Sequence, residues 1–201
     1  MRLDLAENLN WDSNRVDSRM LALRSSIIKV LTRDANSILY NKISVGEDNA
    51  KLTFKPFDEA LKKSTLLPKV NQKSYIEDMD VCLYDCHLTN YGIAMTESKK
   101  RISKLLKEGY NLMQKFLEGK YYESYIESNR GTFGFIVLLG TLHKHLIQKG
   151  VLNQKSSIDQ QSEAIAPFLN ALSQYLSNLP AQDKNDLEMY KGCLLYTSDA
   201  A

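Results

Sequence analysis

The chain has 201 residues, of which 43% are hydrophobic and 25% are charged. This composition is that of an ordinary globular protein, and it excludes a chain that is disordered or fibrous throughout. The 26 Lys and Arg residues nearly balance the 24 Asp and Glu residues. Overall charge therefore does not indicate a nucleic-acid-binding protein, and any such contact would require a local basic patch.

Several features predict a soluble protein of the cytoplasm. Asp4 and Glu7 are acids at the place where a secretory signal has its apolar segment. The longest apolar run, Phe133 to Leu139, is much shorter than the roughly 20 residues of a membrane-spanning helix. The three cysteines lack the spacing of a disulfide framework, which favours a reducing compartment. We therefore expect no membrane contact.

The end of the sequence, residues 193–201, resembles one reading frame of a widely used sequencing adapter, residue for residue. We therefore expect a non-native tail on a truncated metagenomic fragment, whose protein continues beyond Gly192. Met1 could equally be an internal start. The alternative is that the tail is native.

Residues 1–68 are predicted to be the end of an α/β module, which begins with a long helix. Ser13 is placed to cap this helix, because its hydroxyl can accept from amides of the first turn. Apolar side chains then recur at helical spacing as far as Thr32. These side chains are Val16, Met20, Leu23, Ile27 and Leu31.

A β-hairpin is predicted at residues 41–54, after a polar turn that ends the first helix. Two runs, Ile43 to Val45 and Leu52 to Phe54, alternate between apolar and polar residues on either side of a turn-rich loop. The pattern places the apolar side chains of both runs on one buried face. Pro56 then suits the first turn of a short helix.

The remaining segments predict a mainly α protein. Residues 69–95 lack a sustained period and are predicted to be a loop or insertion, with a misread strand as the alternative. Residues 96–192 are predicted to be a helical C-terminal domain, whose first helix Thr96 is placed to cap. A buried helix ends at Gly150, and another begins at Ser157 or Asp159. The predicted fold class is a helical domain with a small α/β lead-in that contains the hairpin.

Two stretches resemble a known family. The first is "RSSIIKVLTRDANSILYNKISVGEDNAKLTF", from Arg24 to Phe54, where a helix leads to an Ile-centred strand. The residues that carry this step are Ser37, Leu39, Tyr40 and Ile43. The second is "SNRGTFGFIVLLG", from Ser128 to Gly140, which resembles the family's Asn-Arg-Gly start of a buried helix. Asn129, Arg130 and Gly131 hold those three places.

Both stretches are similar to the C-terminal part of the DGQHR-domain family, whose DndB-like members are DNA sulfur-modification regulators. The resemblance implies a role in DNA modification, its regulation or anti-phage defence, through contacts with DNA or with other proteins of such a system. The Asp-Gly-Gln-His-Arg string itself is absent from this chain. No functional residue of the family's core is therefore carried over.

A basic face on the helix after Thr96 is the main candidate for DNA binding. Its cations could neutralise backbone phosphates, although such a stripe is more often only the solvated side of an amphipathic helix. The candidate residues are Lys99, Lys100, Arg101, Lys104 and Lys107. Arg130 is a further candidate, because a guanidinium at a helix N-terminus suits a phosphate. We predict, however, that the Asn-Arg-Gly motif is a structural start of a helix near Thr132, and a phosphate contact by Arg130 is the competing interpretation.

Cofactor chemistry finds little support in the sequence. Cys82, Cys86 and His87 could supply zinc ligands together with His143 and His145, but the cysteine spacing is loose, and we predict no metal and no cofactor. No nucleotide-binding or nucleophile motif occurs, so we predict no enzymatic activity for this chain. The alternative function is a helical protein–protein interaction scaffold without a nucleic-acid role.

Overall fold

The computed structural model describes residues 16–44, 52–70, 75–77, 91–180 and 182–183, and helices dominate them. The mainly α prediction is therefore confirmed. In chain order the elements are α1 (Val16–Arg33), β1 (Ile43–Ser44), β2 (Leu52–Thr53), α2 (Phe54–Lys63), β3 (Lys69–Val70), β4 (Tyr75–Glu77), α3 (Tyr91–Phe116), α4 (Gly119–Tyr125), α5 (Asn129–Gln148) and α6 (Ile158–Ser177). None of the described helices is long and apolar enough to cross a membrane.

The first helix follows its predicted apolar stripe. All five predicted side chains are buried, and Leu23 and Ile27 are completely inaccessible. The helix ends at Arg33, and a run of turns follows it, as the polar stretch predicted. The predicted cap, Ser13, lies outside the described residues.

The predicted β-hairpin is wrong, because β1 and β2 pair in parallel. Ile43 lies opposite Leu52, and the Leu52 N–H donates to the Lys42 carbonyl at 3.1 Å. Both apolar side chains are buried as predicted, but Phe54 is the first residue of α2 instead of a strand residue, and Val45 lies outside the described residues. Period-two alternation shows which side of a strand faces the core, and it carries no information on strand direction.

Two further boundaries differ from prediction. Within the segment predicted as a loop, β3 and β4 form an antiparallel pair, so the strand alternative holds there. The following helix begins at Tyr91, and Thr96 is an exposed interior residue of α3 instead of its cap. A threonine inside a helix is less favourable than alanine by only about 0.7 kcal/mol or less, so nothing stops the helix at this position.

In the C-terminal half, the observed starts and ends of the helices agree better with those predicted from the sequence. Gly150 follows α5 with φ +70°, the left-handed conformation that favours glycine. Ser157 caps α6, where its side chain accepts from the Gln160 N–H while the Gln160 side chain accepts from the Ser157 N–H. Pro167 lies inside α6, which continues through it.

A single hydrophobic core unites the segments on either side of residues 69–95. In the described part of the chain, α3 packs against α1 and α6, while α5 packs against α2. Phe57 of α2 and Tyr110 of α3 are among the largest completely buried side chains of this core. The lead-in and the helical region therefore bury their apolar faces against each other.

The contact between α5 and the turn after α2 requires a glycine at position 140, which gives a matched test. A Cβ at Gly140 would lie 2.8 Å from the Thr65 backbone nitrogen, whereas a Cβ at Gly134 of the same helix has open space. Gly140→Ala should therefore lower the free energy of unfolding by about 1–3 kcal/mol through overpacking. Gly134→Ala should raise it by about 0.5–1 kcal/mol through helix propensity. Denaturant unfolding measures both, and equal effects would contradict this packing.

Candidate functional site

The basic face divides according to the direction of its side chains. At 100° per residue, the four lysines lie within an arc of about 140° on the α3 surface, and Arg101 lies outside that arc, about 60° beyond Lys104. These lysines are Lys99, Lys100, Lys104 and Lys107. Only the lysines therefore form one local patch.

Arg101 stabilises the loop that precedes α6. Its Nη2 donates to the carbonyl of Gln154 and, at 3.2 Å, to the carbonyl of Ser156. The guanidinium is half-buried, and desolvation lowers its pKa. These backbone contacts occupy the side chain, so Arg101 does not extend the patch.

Two of the lysines form ion pairs that differ in exposure. The Lys104 Nζ lies 2.8 Å from Asp159 Oδ1, with both side chains well exposed, and this hydrogen bond raises the pKa of Lys104. The Lys107 Nζ lies 2.9 Å from Asp34 Oδ2, where it holds the pKa of Asp34 below its usual range. An exposed pair contributes little to stability, so Lys104 can exchange Asp159 for another anion easily.

The four lysines surround one shallow cavity between α1 and α3. It has a volume of about 460 Å³, and Asp34 and Glu108 are the acids among its described lining residues. Within the described part of the chain, Lys99 and Lys100 form no ion pair. This lysine cavity therefore offers three ammonium groups, those of Lys99, Lys100 and Lys104, to an external anion.

The Asn-Arg-Gly motif forms the first turn of α5, one residue beyond a cap that sequence reasoning missed. The helix begins at Asn129 and not near Thr132, because the Ser128 side chain accepts from the Gly131 N–H at 3.1 Å. A serine three residues before the amide it accepts from is the usual capping signal, and it was present in the sequence.

Gly131 is required by space and not by an unusual backbone angle. A Cβ at this position would lie 2.0 Å from the carbonyl oxygen of Tyr125, the last residue of α4. No real Cβ comes so close to a backbone oxygen, so any side chain would push α4 and α5 apart. The glycine therefore allows the tight connection between these two helices.

The other residues of this turn hold distant segments. The Asn129 Oδ1 accepts from the Thr53 N–H at 2.8 Å, which ties α5 to β2. Thr132, which is completely buried, donates to the Ile126 carbonyl and accepts from the Tyr110 hydroxyl, both at 3.2 Å. The motif is thus engaged in structural contacts at Asn129 and Gly131.

A buried carboxylate and two buried tyrosines lie beside this turn. The Glu127 carboxylate, with 4% of its side chain exposed, lies 2.9 Å from the Lys42 Nζ. Burial raises the pKa of both Tyr110 and Tyr122 well above the usual range, and the nearby Glu127 charge adds to the shift. Burial therefore favours the neutral form of both hydroxyls.

Arg130 lies apart from the lysine cavity. It lines a mostly apolar groove of about 280 Å³ between α4, α5 and α6, which we call the Arg130 groove. Asp159, which pairs with Lys104 of the lysine cavity, and Leu172, which lines the groove, lie roughly 20 Å apart along α6 at 1.5 Å per residue. The structure thus separates Arg130 from the other candidate cations.

The candidate zinc ligands are only partly described. Cys82, Cys86 and His87 lie outside the described residues, while His143 is buried in α5 and His145 is exposed on the same helix. Among the residues that the structure describes, no three His, Cys, Asp or Glu side chains form a group that could hold a metal ion.

No family model, no curated protein and no solved structure matches the chain. The resemblance to the DGQHR-domain family therefore stays a prediction.

Substitutions in the motif should separate a structural role from a binding role. Gly131→Ala should lower the free energy of unfolding by about 3 kcal/mol, because the added Cβ collides with the Tyr125 carbonyl. Arg130→Ala should change it by no more than about 0.5 kcal/mol, since no hydrogen bond holds its guanidinium within the described residues. Thermal and denaturant unfolding measure both, and a Gly131→Ala protein of undiminished stability would refute this geometry.

Proposed function

We propose that the chain is part of a DGQHR-type, DndB-like protein that acts in DNA modification, its regulation or anti-phage defence, and that the lysine cavity contacts the DNA backbone. The observation that carries the proposal is the convergence of four lysines on one cavity, three of which can meet an external anion. The family resemblance supplies the nucleic acid as the anion's source. We propose a regulatory, non-enzymatic role in the cytoplasm.

Lysine ammonium groups suit phosphate without reading sequence. Each can donate to several phosphate oxygens, and contacts of this kind orient a protein on the duplex while carrying no base information. The two acids that line the cavity lower its positive potential, so contact with DNA is local and of modest strength. Such a patch suits a weak additional contact with DNA, while another part of the protein or of its system supplies the main contact.

Removal of the three available lysines tests the proposal. The variant Lys99→Ala, Lys100→Ala, Lys104→Ala should bind duplex DNA more weakly, and its affinity should depend less steeply on salt. Each lost phosphate contact lowers the slope of log affinity against log salt by about 0.9, so the slope should fall by up to about 3. Fluorescence anisotropy across a salt series measures both quantities.

The matched control removes three exposed lysines elsewhere, in the variant Lys55→Ala, Lys115→Ala, Lys155→Ala. It has the same net charge as the test variant, and its DNA affinity should stay closer to that of the unmodified chain. Equal losses of DNA affinity in the two variants would show that overall charge, and not the lysine cavity, determines the binding. Absence of salt-dependent binding by the unmodified chain would reject DNA contact and favour the alternative, a helical interaction scaffold.

A further inference from the structure

The Arg130 groove has the character of a protein-binding surface. Its floor is apolar, formed by Phe135 and Leu138 of α5 and by Leu172 and Leu176 of α6. Arg130 is the charged residue among the described lining residues. We propose that this groove binds an amphipathic helix of a partner protein, with apolar side chains on one face and an acidic residue placed to meet Arg130.

The apolar surface continues past the groove along α6. Phe168 lies one turn before Leu172, so that Phe168, Leu172 and Leu176 form a row at i, i+4 and i+8. Phe168 is 43% exposed, and Tyr175 beside this row is 65% exposed. Large aromatic side chains exposed next to an apolar groove indicate an interaction site. The row from Phe168 to Leu176 is longer than a small molecule would need and suits a helix of a partner protein.

The charge of Arg130 determines the chemistry of the partner. Its side chain is partly buried, and within the described part of the chain no carboxylate or carbonyl accepts from its guanidinium. A guanidinium at the edge of an apolar surface binds a carboxylate in two hydrogen bonds, which are stronger there than in open water. The N-terminus of α5 adds partial positive charge at the same place. An acidic helix therefore fits better than a neutral or a basic one.

The proposal for the groove and the proposal for the lysine cavity are independent of each other. Asp159, which pairs with Lys104 of the cavity, and Leu172 of the groove lie roughly 20 Å apart along α6, and the two surfaces share no described lining residue. Loss of DNA binding would leave helix binding intact, and the reverse also holds. Failure of one proposal is therefore distinguishable from failure of the other.

The inference is tested by selecting peptides from a phage-displayed library against the full 201-residue chain. This method does not require the partner's sequence in advance. Counter-selection uses the variant Phe168→Ala, Tyr175→Ala, in which only exposed side chains change. Enriched peptides should carry apolar residues at helical spacing together with Asp or Glu. Absence of enrichment over the variant, or enrichment without acidic residues, would overturn the proposal.

Synthetic versions of the enriched peptides then give affinities. Binding should weaken roughly tenfold on Arg130→Gln, and replacing the peptide's acid by its amide should remove the same factor. Val151→Ala is the matched control, because Val151 is 60% exposed on the loop after α5 and should not matter. Melting temperatures verify that each variant is folded, and equal affinity for Arg130→Gln would overturn the proposal.

Analytical sedimentation of the chain alone tests whether a second copy of the chain occupies the groove instead. If the chain self-associates, and the variant Phe168→Ala, Tyr175→Ala abolishes this, a second copy occupies the groove and the partner proposal is overturned. A chain that remains monomeric while it binds the acidic peptides supports the proposal.

Discussion

The buried carboxylate of Glu127 is the constraint on which the rest of the structure depends. An ionised group with so little exposed surface requires a partner, because the loss of its hydration is not otherwise compensated. Lys42, which lies 85 residues earlier in the chain and directly precedes β1, is one such partner. The pair therefore ties the lead-in to the turn between α4 and α5, in addition to the hydrophobic core that both segments share.

In the turn that follows Glu127, two further residues contact neighbouring segments. Asn129 holds β2 through the Thr53 N–H, and Gly131 lies against the Tyr125 carbonyl. With these two residues engaged in structure, Arg130 lines the groove between α4, α5 and α6. The lysine cavity lies between α1 and α3, and its Lys104 pairs with Asp159 near the start of α6. A structural joint thus separates two surfaces of different chemistry, one basic and one apolar with a single cation.

Helices with a strong apolar period and a local cap could be predicted from the sequence. The α1 stripe and the Ser157 cap depend on residues within one or two turns, and local signals suffice there. The parallel pairing of β1 with β2 could not be predicted, because strand direction depends on the path of the whole chain. The same reason explains the site: spacing placed the lysines on α3, but only tertiary packing shows that Arg101 contacts the loop before α6.

A double-mutant cycle between Lys42 and Glu127 tests the central claim most directly. Free energies of unfolding are measured for Lys42→Met, for Glu127→Gln and for the double variant. If the pair joins the lead-in to the helical region, the sum of the two single losses should exceed the double loss by about 1–3 kcal/mol, since the interaction between the two groups is lost in each single variant but only once in the double variant. Losses that add within about 0.5 kcal/mol would show that the two groups do not interact, and would contradict the joint described here.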